Sequence, residues 1–271
     1  MKNSSHKPGL KVNIIKVYRS GDRKSMADTI PSELLLQVFL NGKKVSTISC
    51  LPRDLSLLAV GFIVNHGYVK DFSSINLVSE CGHEKEQELL WARADVGAEM
   101  KEKEAFAPID PVFLPSGCGN IDDFILKKKI HKIDQGQEVP PSILLGLNIK
   151  ALEAQQLKKQ FGGLHSASLF DFKGRLLFSC EDIGRHNCID KVAGYIYINH
   201  ISPEGKIMFT TGRLSLDAIY KLNKMRIPVS VTNSSVTYSA AKLAGRANMT
   251  LVGYARGGRF NIYSGQERIG K

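Results

Sequence analysis

A chain of 271 residues, 43% hydrophobic and 23% charged, can bury a full core as one large domain or two modest ones. No window approaches the roughly 18 uncharged apolar residues of a membrane-spanning helix, and no apolar core with a cleavage site opens the chain, so a cytoplasmic protein without a membrane partner is expected. The formal charge of +11 is uneven, with seven Lys/Arg against one Asp over residues 1–24 and +8 over residues 161–271; with aromatics at 8% and no helix-turn-helix or RNA-binding signature, no nucleic-acid partner is expected.

Residues 1–27 are expected as a basic flexible tail. Beyond them Glu33–Leu40 and Lys44–Cys50, joined by Asn41-Gly42, predict a hairpin. Pro52-Arg53-Asp54 precedes a broad apolar run from Leu55, which predicts a helix capped by Asp54 and ending near Gly67. Two short strands, Ile75–Val78 and Glu88–Ala94, complete a small α+β unit over residues 28–110.

Residues 111–271 read as a larger α/β domain. A Pro-punctuated stretch, Pro108 to Pro115, leads to Ser116-Gly117-Cys118-Gly119, and a loop from Asp134 to Pro141 precedes a helix predicted over Asn148–Phe161. From Gly162 strands and helices alternate: Ser166–Phe170, Arg175–Ser179, Cys188–Asn199 (helix), Lys206–Thr210, Leu214–Met225 (helix), Val229–Thr232, Ser239–Ala247 (helix) and Thr250–Tyr254. That alternation predicts a layered domain with a partly parallel sheet.

Five cysteines are an odd count in a chain that needs no disulfide staples, so reduced thiols are expected. The glycines beside Cys118 leave its thiol open and expose backbone N–H groups that stabilise a thiolate, as a nucleophilic or persulfide-bearing cysteine requires; a cysteine packed in a turn is the plainer reading. Glu181-Asp182-Ile183-Gly184-Arg185-His186-Asn187 gathers two acids, a guanidinium and an imidazole before an apolar helix, where Arg185 could hold phosphate and His186 could act as acid/base or brace the helix. Thr211-Gly212-Arg213-Leu214-Ser215 follows a strand and opens a helix, a place where free N–H groups attract anions, and Asn233-Ser234-Ser235-Val236-Thr237 repeats the arrangement one strand later. Tyr254-Ala255-Arg256-Gly257-Gly258-Arg259 ends a strand with two phosphate-matching guanidinium groups and a ring on which a base or pterin can stack.

Together these segments resemble the FdhD family, through Gly162-Gly163-Leu164-His165-Ser166-Ala167, the run Glu181 to Lys191, Thr211 to Ser215, and Leu251 to Arg259. The resemblance implies a cytidine deaminase-like three-layer α/β core beside the smaller α+β domain, and a homodimer. It also implies a carrier that takes sulfur from a cysteine desulfurase as a Cys118 persulfide. That sulfur goes to the molybdenum bis(molybdopterin guanine dinucleotide) cofactor, held as cargo, before insertion into formate dehydrogenase. Tyr254, Ala255, Arg256, Gly257, Gly258 and Arg259, with Arg185, His186, Arg213 and Ser215, are the implied cofactor-binding residues, and no structural metal is implied. Ile121 stands where many family members have a second cysteine, so a two-thiol relay within the loop is excluded. Two other readings are weighed beside this one. A cofactor chaperone would move no sulfur. A deaminase-like zinc hydrolase would need H-x-E and P-C-x-x-C, but His165-Ser166-Ala167 lacks the Glu and the chain has no Cys-x-x-Cys.

Overall fold

The structure, a computed structural model, describes residues 7–69, 75–86, 89–99 and 130–271. Residues 9–31 are not a formless tail: β1 (Gly9–Val17) and β2 (Arg23–Pro31) pair antiparallel as a two-stranded ribbon. Its alternation, Lys11-Val12-Asn13-Ile14, is that of a strand, and the basic residues that suggested a tail lie along it.

The predicted hairpin forms from β3 (Leu34–Leu40) and β4 (Lys43–Cys50). Asn41 and Gly42 both have positive φ, at 47° and 77°, as a two-residue turn of this hand requires. Leu34, Leu36, Val38 and Leu40 alternate inward and are fully buried. With β5 (Ile75–Glu86) and β6 (Leu89–Ala98), both longer than expected, they make a four-stranded sheet in the order β4-β3-β6-β5, with β3 and β6 parallel.

Helix α1 (Leu55–His66) packs on this sheet and ends at Gly67, where φ is 81°. Asp54 does not cap it: its backbone is left-handed and its side chain accepts no capping bond. Ser56 is instead held by Glu80 of β5, through N (2.9 Å) and Oγ (2.5 Å). Ten of the twelve residues of α1 are buried because its other side meets a second helix, so it lacks the polar face of a surface helix.

The second sheet has the order β12-β11-β10-β9-β7-β8, from β7 (His165–Asp171), β8 (Leu176–Asp182), β9 (Lys206–Thr210), β10 (Val229–Thr232), β11 (Thr250–Arg256) and β12 (Arg259–Ser264). Strands β9, β10 and β11 are parallel, while β7, β8 and β12 run antiparallel to their neighbours. One face is covered by α2 (Pro141–Ala154), which starts at a proline in its first turn, seven residues before the predicted start; a separate short helix, α3 (Leu157–Phe161), follows. The other face carries α4 (Arg185–Ile198), α5 (Leu216–Lys224) and α6 (Tyr238–Arg246).

The two sheets are joined back to back through α1 and α4. These helices cross at Gly61 and Gly194, where an added Cβ would stand 1.8 Å from Asp190 O and 2.0 Å from Leu57 O. Across the same seam Asn65 Nδ2 donates to Asp190 Oδ1 (2.7 Å), and Lys224 Nζ donates to Val64 O (2.7 Å) at the C-terminus of α1. No helix of the described residues is long and apolar enough to cross a membrane.

Candidate anion-binding shelf at the strand ends

The C-terminal ends of β8, β9, β10 and β11 and the N-terminal end of β7 lie along one edge of the six-stranded sheet, the position at which open α/β sheets bind ligands. The loop after β9 folds on its own hydroxyls. Ser166 N donates to Thr211 Oγ1 (2.9 Å), Gly212 N donates to Thr210 Oγ1 (3.2 Å), and Thr232 Oγ1 donates to Gly212 O (2.7 Å). Leu214 N then donates to Ser235 O (3.1 Å) and Thr237 N to Leu214 O (3.1 Å), so the loops after β9 and β10 lie side by side. Tyr254 N donates to Ser234 O (2.9 Å), which adds the end of β11 to the same shelf.

The run from Glu181 divides into scaffold and site. Glu181 is buried and accepts from the backbone N of Gln156, Leu157 and Lys158 (2.9, 2.9 and 2.7 Å), holding the start of α3. Asp182 and Lys191 form a fully buried ion pair at 2.7 Å. Asp182 also accepts from Leu51 N (3.2 Å), Gly184 N (3.0 Å) and Asn187 Nδ2 (2.8 Å), while Asn187 Nδ2 donates to Ser49 O (2.8 Å). Burial pushes the Lys191 ammonium down, but the Asp182 charge and hydrogen bond together with the neighbouring Cys50 and Cys180 overcome it and raise its pKa. Asp182 therefore ties the end of the first sheet to the second, while Glu181 anchors α3.

Arg185 and His186, in the first turn of α4, face the shelf. The Arg185 side chain lies against Gly212, where an added Cβ would stand 2.8 Å from Arg185 Cβ, and Arg185 Nε is buried with no hydrogen-bond partner. His186 Nε2 stands 2.7 Å from Asp217 Oδ2, and Asp217 also accepts from the Ser215 hydroxyl. Burial pushes the Asp217 carboxyl up, but the His186 contact and the Ser215 and Ala218 donors overcome it and hold the group well below the usual carboxylate range. His165 is pushed down, first by burial and then by the charges of Lys158, Arg185 and His186. A cluster of that sign suits an anion.

Arg213, Tyr254, Arg256, Gly257, Gly258 and Arg259 are exposed at the shelf's outer lip. Gly257 (φ 62°) and Gly258 (φ 73°) make the two-residue turn between β11 and β12 and put both arginines at its shoulders. The Arg256 guanidinium stands 5.9 Å from the Tyr254 ring centroid. Ala255 is 3% exposed and packs with Val139 and Phe170 in the core, so its side chain points away from the shelf.

Three residues of the shelf lay outside the sequence reading of the site. Asp217 was readable as an acid in the first turn of a helix two residues after Ser215. His165 joins only because β7 runs antiparallel to β9. Tyr238, at the start of α6, is 77% exposed with Lys242 Nζ 5.4 Å from its ring centroid.

Cys118 and its glycines lie outside the described residues. Three other thiols are described, and all are buried. Burial pushes the Cys50 thiol up to about 12 and raises Cys188 well above the ordinary thiol value. Cys180 Sγ contacts Cys188 O at 3.4 Å and Ala167 O at 3.7 Å.

Residues 31–270 match the FdhD/NarQ family. A relative from Wolinella succinogenes, named sulfur carrier protein FdhD, is 31% identical over 273 residues, covering 95% of this chain and 89% of its own. One of the same name from Staphylococcus aureus is 28% identical and covers 93% of each. The crystal structure of a protein described as a formate dehydrogenase accessory protein from Desulfotalea psychrophila superposes with a TM-score of 0.79 at 26% identity, covering 97% of this chain and 100% of that one.

Proposed function

The chain belongs to the FdhD/NarQ family, and from that premise and the geometry of the shelf we propose that it is a sulfur carrier for formate dehydrogenase. In this reading Cys118 takes a sulfane sulfur from a cysteine desulfurase, carries it as a persulfide, and passes it to the molybdenum cofactor, leaving the thiolate behind. The cofactor is cargo: its pyrophosphate groups lie against Arg185, Arg213, Arg256 and Arg259, its guanines stack on Tyr254 or Tyr238, and Ser215 and His186 complete the polar lining. The observation that carries this reading is the buried, unpartnered Nε of Arg185 beside a glycine, at the end of a sheet whose outer lip carries Arg213, Tyr254, Arg256 and Arg259. A buried donor of that kind calls for an acceptor from outside the chain.

The thiols favour the same assignment. Among the described thiols Cys50, Cys180 and Cys188 are buried, and burial raises the pKa of Cys50 and of Cys188, which makes those two poor nucleophiles. We read the sandwich of α2, the six-stranded sheet and α4–α6 as a cytidine deaminase-like core, and the working form as a cytoplasmic homodimer. One sequence feature favours a second reading, delivery of the cofactor without sulfur transfer: with Ile121 at the place of a second thiol, Cys118 has no resolving partner in its loop.

Intact mass spectrometry after incubation with a cysteine desulfurase and cysteine separates the two. A gain of one sulfur in the wild type that disappears in Cys118→Ala is expected for the carrier. No gain in the wild type, or formate dehydrogenase activity fully supported by Cys118→Ala, transfers the assignment to the chaperone.

A further inference from the structure

The β1–β2 ribbon has no core. From Lys7 to Pro31 not one residue is buried, and the ribbon meets the body at its base, where an added Cβ on Gly9 would stand 2.7 Å from the Phe161 ring. It is nonetheless rich in apolar side chains: Leu10, Ile15, Val17, Tyr18, Met26 and Ile30 are all among the exposed large hydrophobics. A two-stranded ribbon with both faces and both edges open is marginal in water, and its unpaired backbone is a template for another chain.

The cross-strand register orders one face. Leu10 stands opposite Ile30, Val12 opposite Asp28, Ile14 opposite Met26, and Lys16 opposite Lys24. The result is a mainly apolar ladder, interrupted by Asp28 and ending in two like charges directly across from each other, an arrangement that destabilises an isolated pair of strands. Neither Lys16 nor Lys24 has an ion-pair partner among the described residues, and the ribbon as a whole carries five Lys/Arg against two Asp. A local conflict of this kind is relieved by an anionic group from outside. The occupant must offer an apolar floor flanked by carboxylates, which is the surface of an acidic protein. The ribbon of a second copy brings the same five Lys/Arg against two Asp, so ribbon-to-ribbon pairing has the wrong sign, and a nucleic-acid backbone offers nothing to Leu10, Ile14, Met26 and Ile30.

We propose that the ribbon is a docking arm for an acidic partner protein, gripping it by the Leu10–Ile14/Met26–Ile30 ladder and steering it by the opposed Lys16 and Lys24.

The test measures binding of the full chain to immobilised formate dehydrogenase and to immobilised cysteine desulfurase from the same organism, a choice of partners that rests on the sulfur-carrier reading. Two variants are compared with the wild type: Lys16→Glu/Lys24→Glu, and Ile14→Thr/Met26→Thr, which keeps strand-forming residues. The expected result is binding of one partner that weakens as salt rises, with both variants at least about tenfold weaker and melting temperatures unchanged, because no ribbon residue is buried. Variants that bind like the wild type, or a wild type that binds neither protein, overturn the proposal. So does capture by anionic lipid vesicles in place of protein, or a dimer that the charge reversal dissociates. Loading of Cys118 from inorganic polysulfide, followed by mass in the same variants, keeps the readings apart: its failure bears on the carrier role alone.

Discussion

Replacing Gly61 by alanine tests the seam between the two sheets. Alanine at an exposed helical position stabilises relative to glycine by about 0.8–1 kcal/mol, so the sign of the effect is diagnostic. Here the new Cβ would stand 1.8 Å from Asp190 O and 2.9 Å from Gly194 N, and both neighbours are backbone. A carbon–oxygen contact needs about 3.3 Å, so α1 and α4 must part by about 1.5 Å. That displacement carries the Asn65–Asp190 and Lys224–Val64 bonds, both 2.7 Å, beyond hydrogen-bonding range. Each involves a charged group and contributes about 1.5–3 kcal/mol, so the net loss is about 3 kcal/mol after the helix-propensity gain, a large share of a typical domain's stability. Urea unfolding followed by fluorescence of Trp91, the single tryptophan, and by far-UV circular dichroism measures it. Gly146→Ala in α2, where an added Cβ meets nothing within 4 Å, is the control and should stabilise. A Gly61→Ala protein as stable as the wild type would refute the claim that backbone approach at this crossing holds the sheets together.

Two further outcomes follow from buried titratable groups. His66 is pushed down to about 4, by burial and then by Lys221 with Asp190 opposing. The unfolded imidazole takes its proton near 6.5, so between pH 6.5 and 4 the unfolded chain binds more protons and stability falls as pH is lowered, by up to about 3 kcal/mol from this group. His165, also lowered, adds in the same direction; His66→Gln should therefore remove part of the difference between urea midpoints at pH 7 and pH 5, and an unchanged difference would contradict the assignment. Cys50→Ala, Cys180→Ala and Cys188→Ala should each still gain one sulfur in the mass assay, at a modest cost in stability from the small cavities left; loss of loading in any one of them would reopen the choice of thiol.

What the sequence made legible follows the range of the forces involved. The Asn41-Gly42 hairpin and the strands Lys206–Thr210 and Val229–Thr232 rest on local chemistry, positive φ in the turn and short β-branched runs, and stand where they were expected. The early start of α2 was also local, signalled by Pro141 in the first turn, but the loop composition before it outweighed that sign. Strand β12 was missed because Gly257-Gly258 between two arginines was read as a phosphate loop; the same glycines make a hairpin turn and put those arginines at the lip. Asp54 failed as a cap because its own backbone is left-handed. The roles of Glu181 and Asp182 could not be read at all, since their partners, Leu157, Leu51 and Lys191, are brought to them only by the fold.

The run from Glu181 to Lys191 shows why a dense motif need not be a dense active site. Removing one member of a buried ion pair leaves the other uncompensated, at a cost of about 3–5 kcal/mol, so Asp182 and Lys191 are held to their identities by stability alone. Asp190 is fixed in the same way by Lys221 Nζ at 2.6 Å and by Asn65. Between these anchors lie Arg185 and His186, whose direction is set because Asp182 and Asn187 pin the turn before and within the start of α4 to Ser49 of β4 and to Leu51 just after it. A helix start tied on both sides has no freedom to rotate, so the guanidinium and the imidazole point at the Gly212 loop with no substrate present. Under the proposed carrier role the scaffold residues act indirectly: they lower the reorganisation needed when an anionic cargo reaches the shelf, the form of preorganisation that separates a binding site from a basic surface.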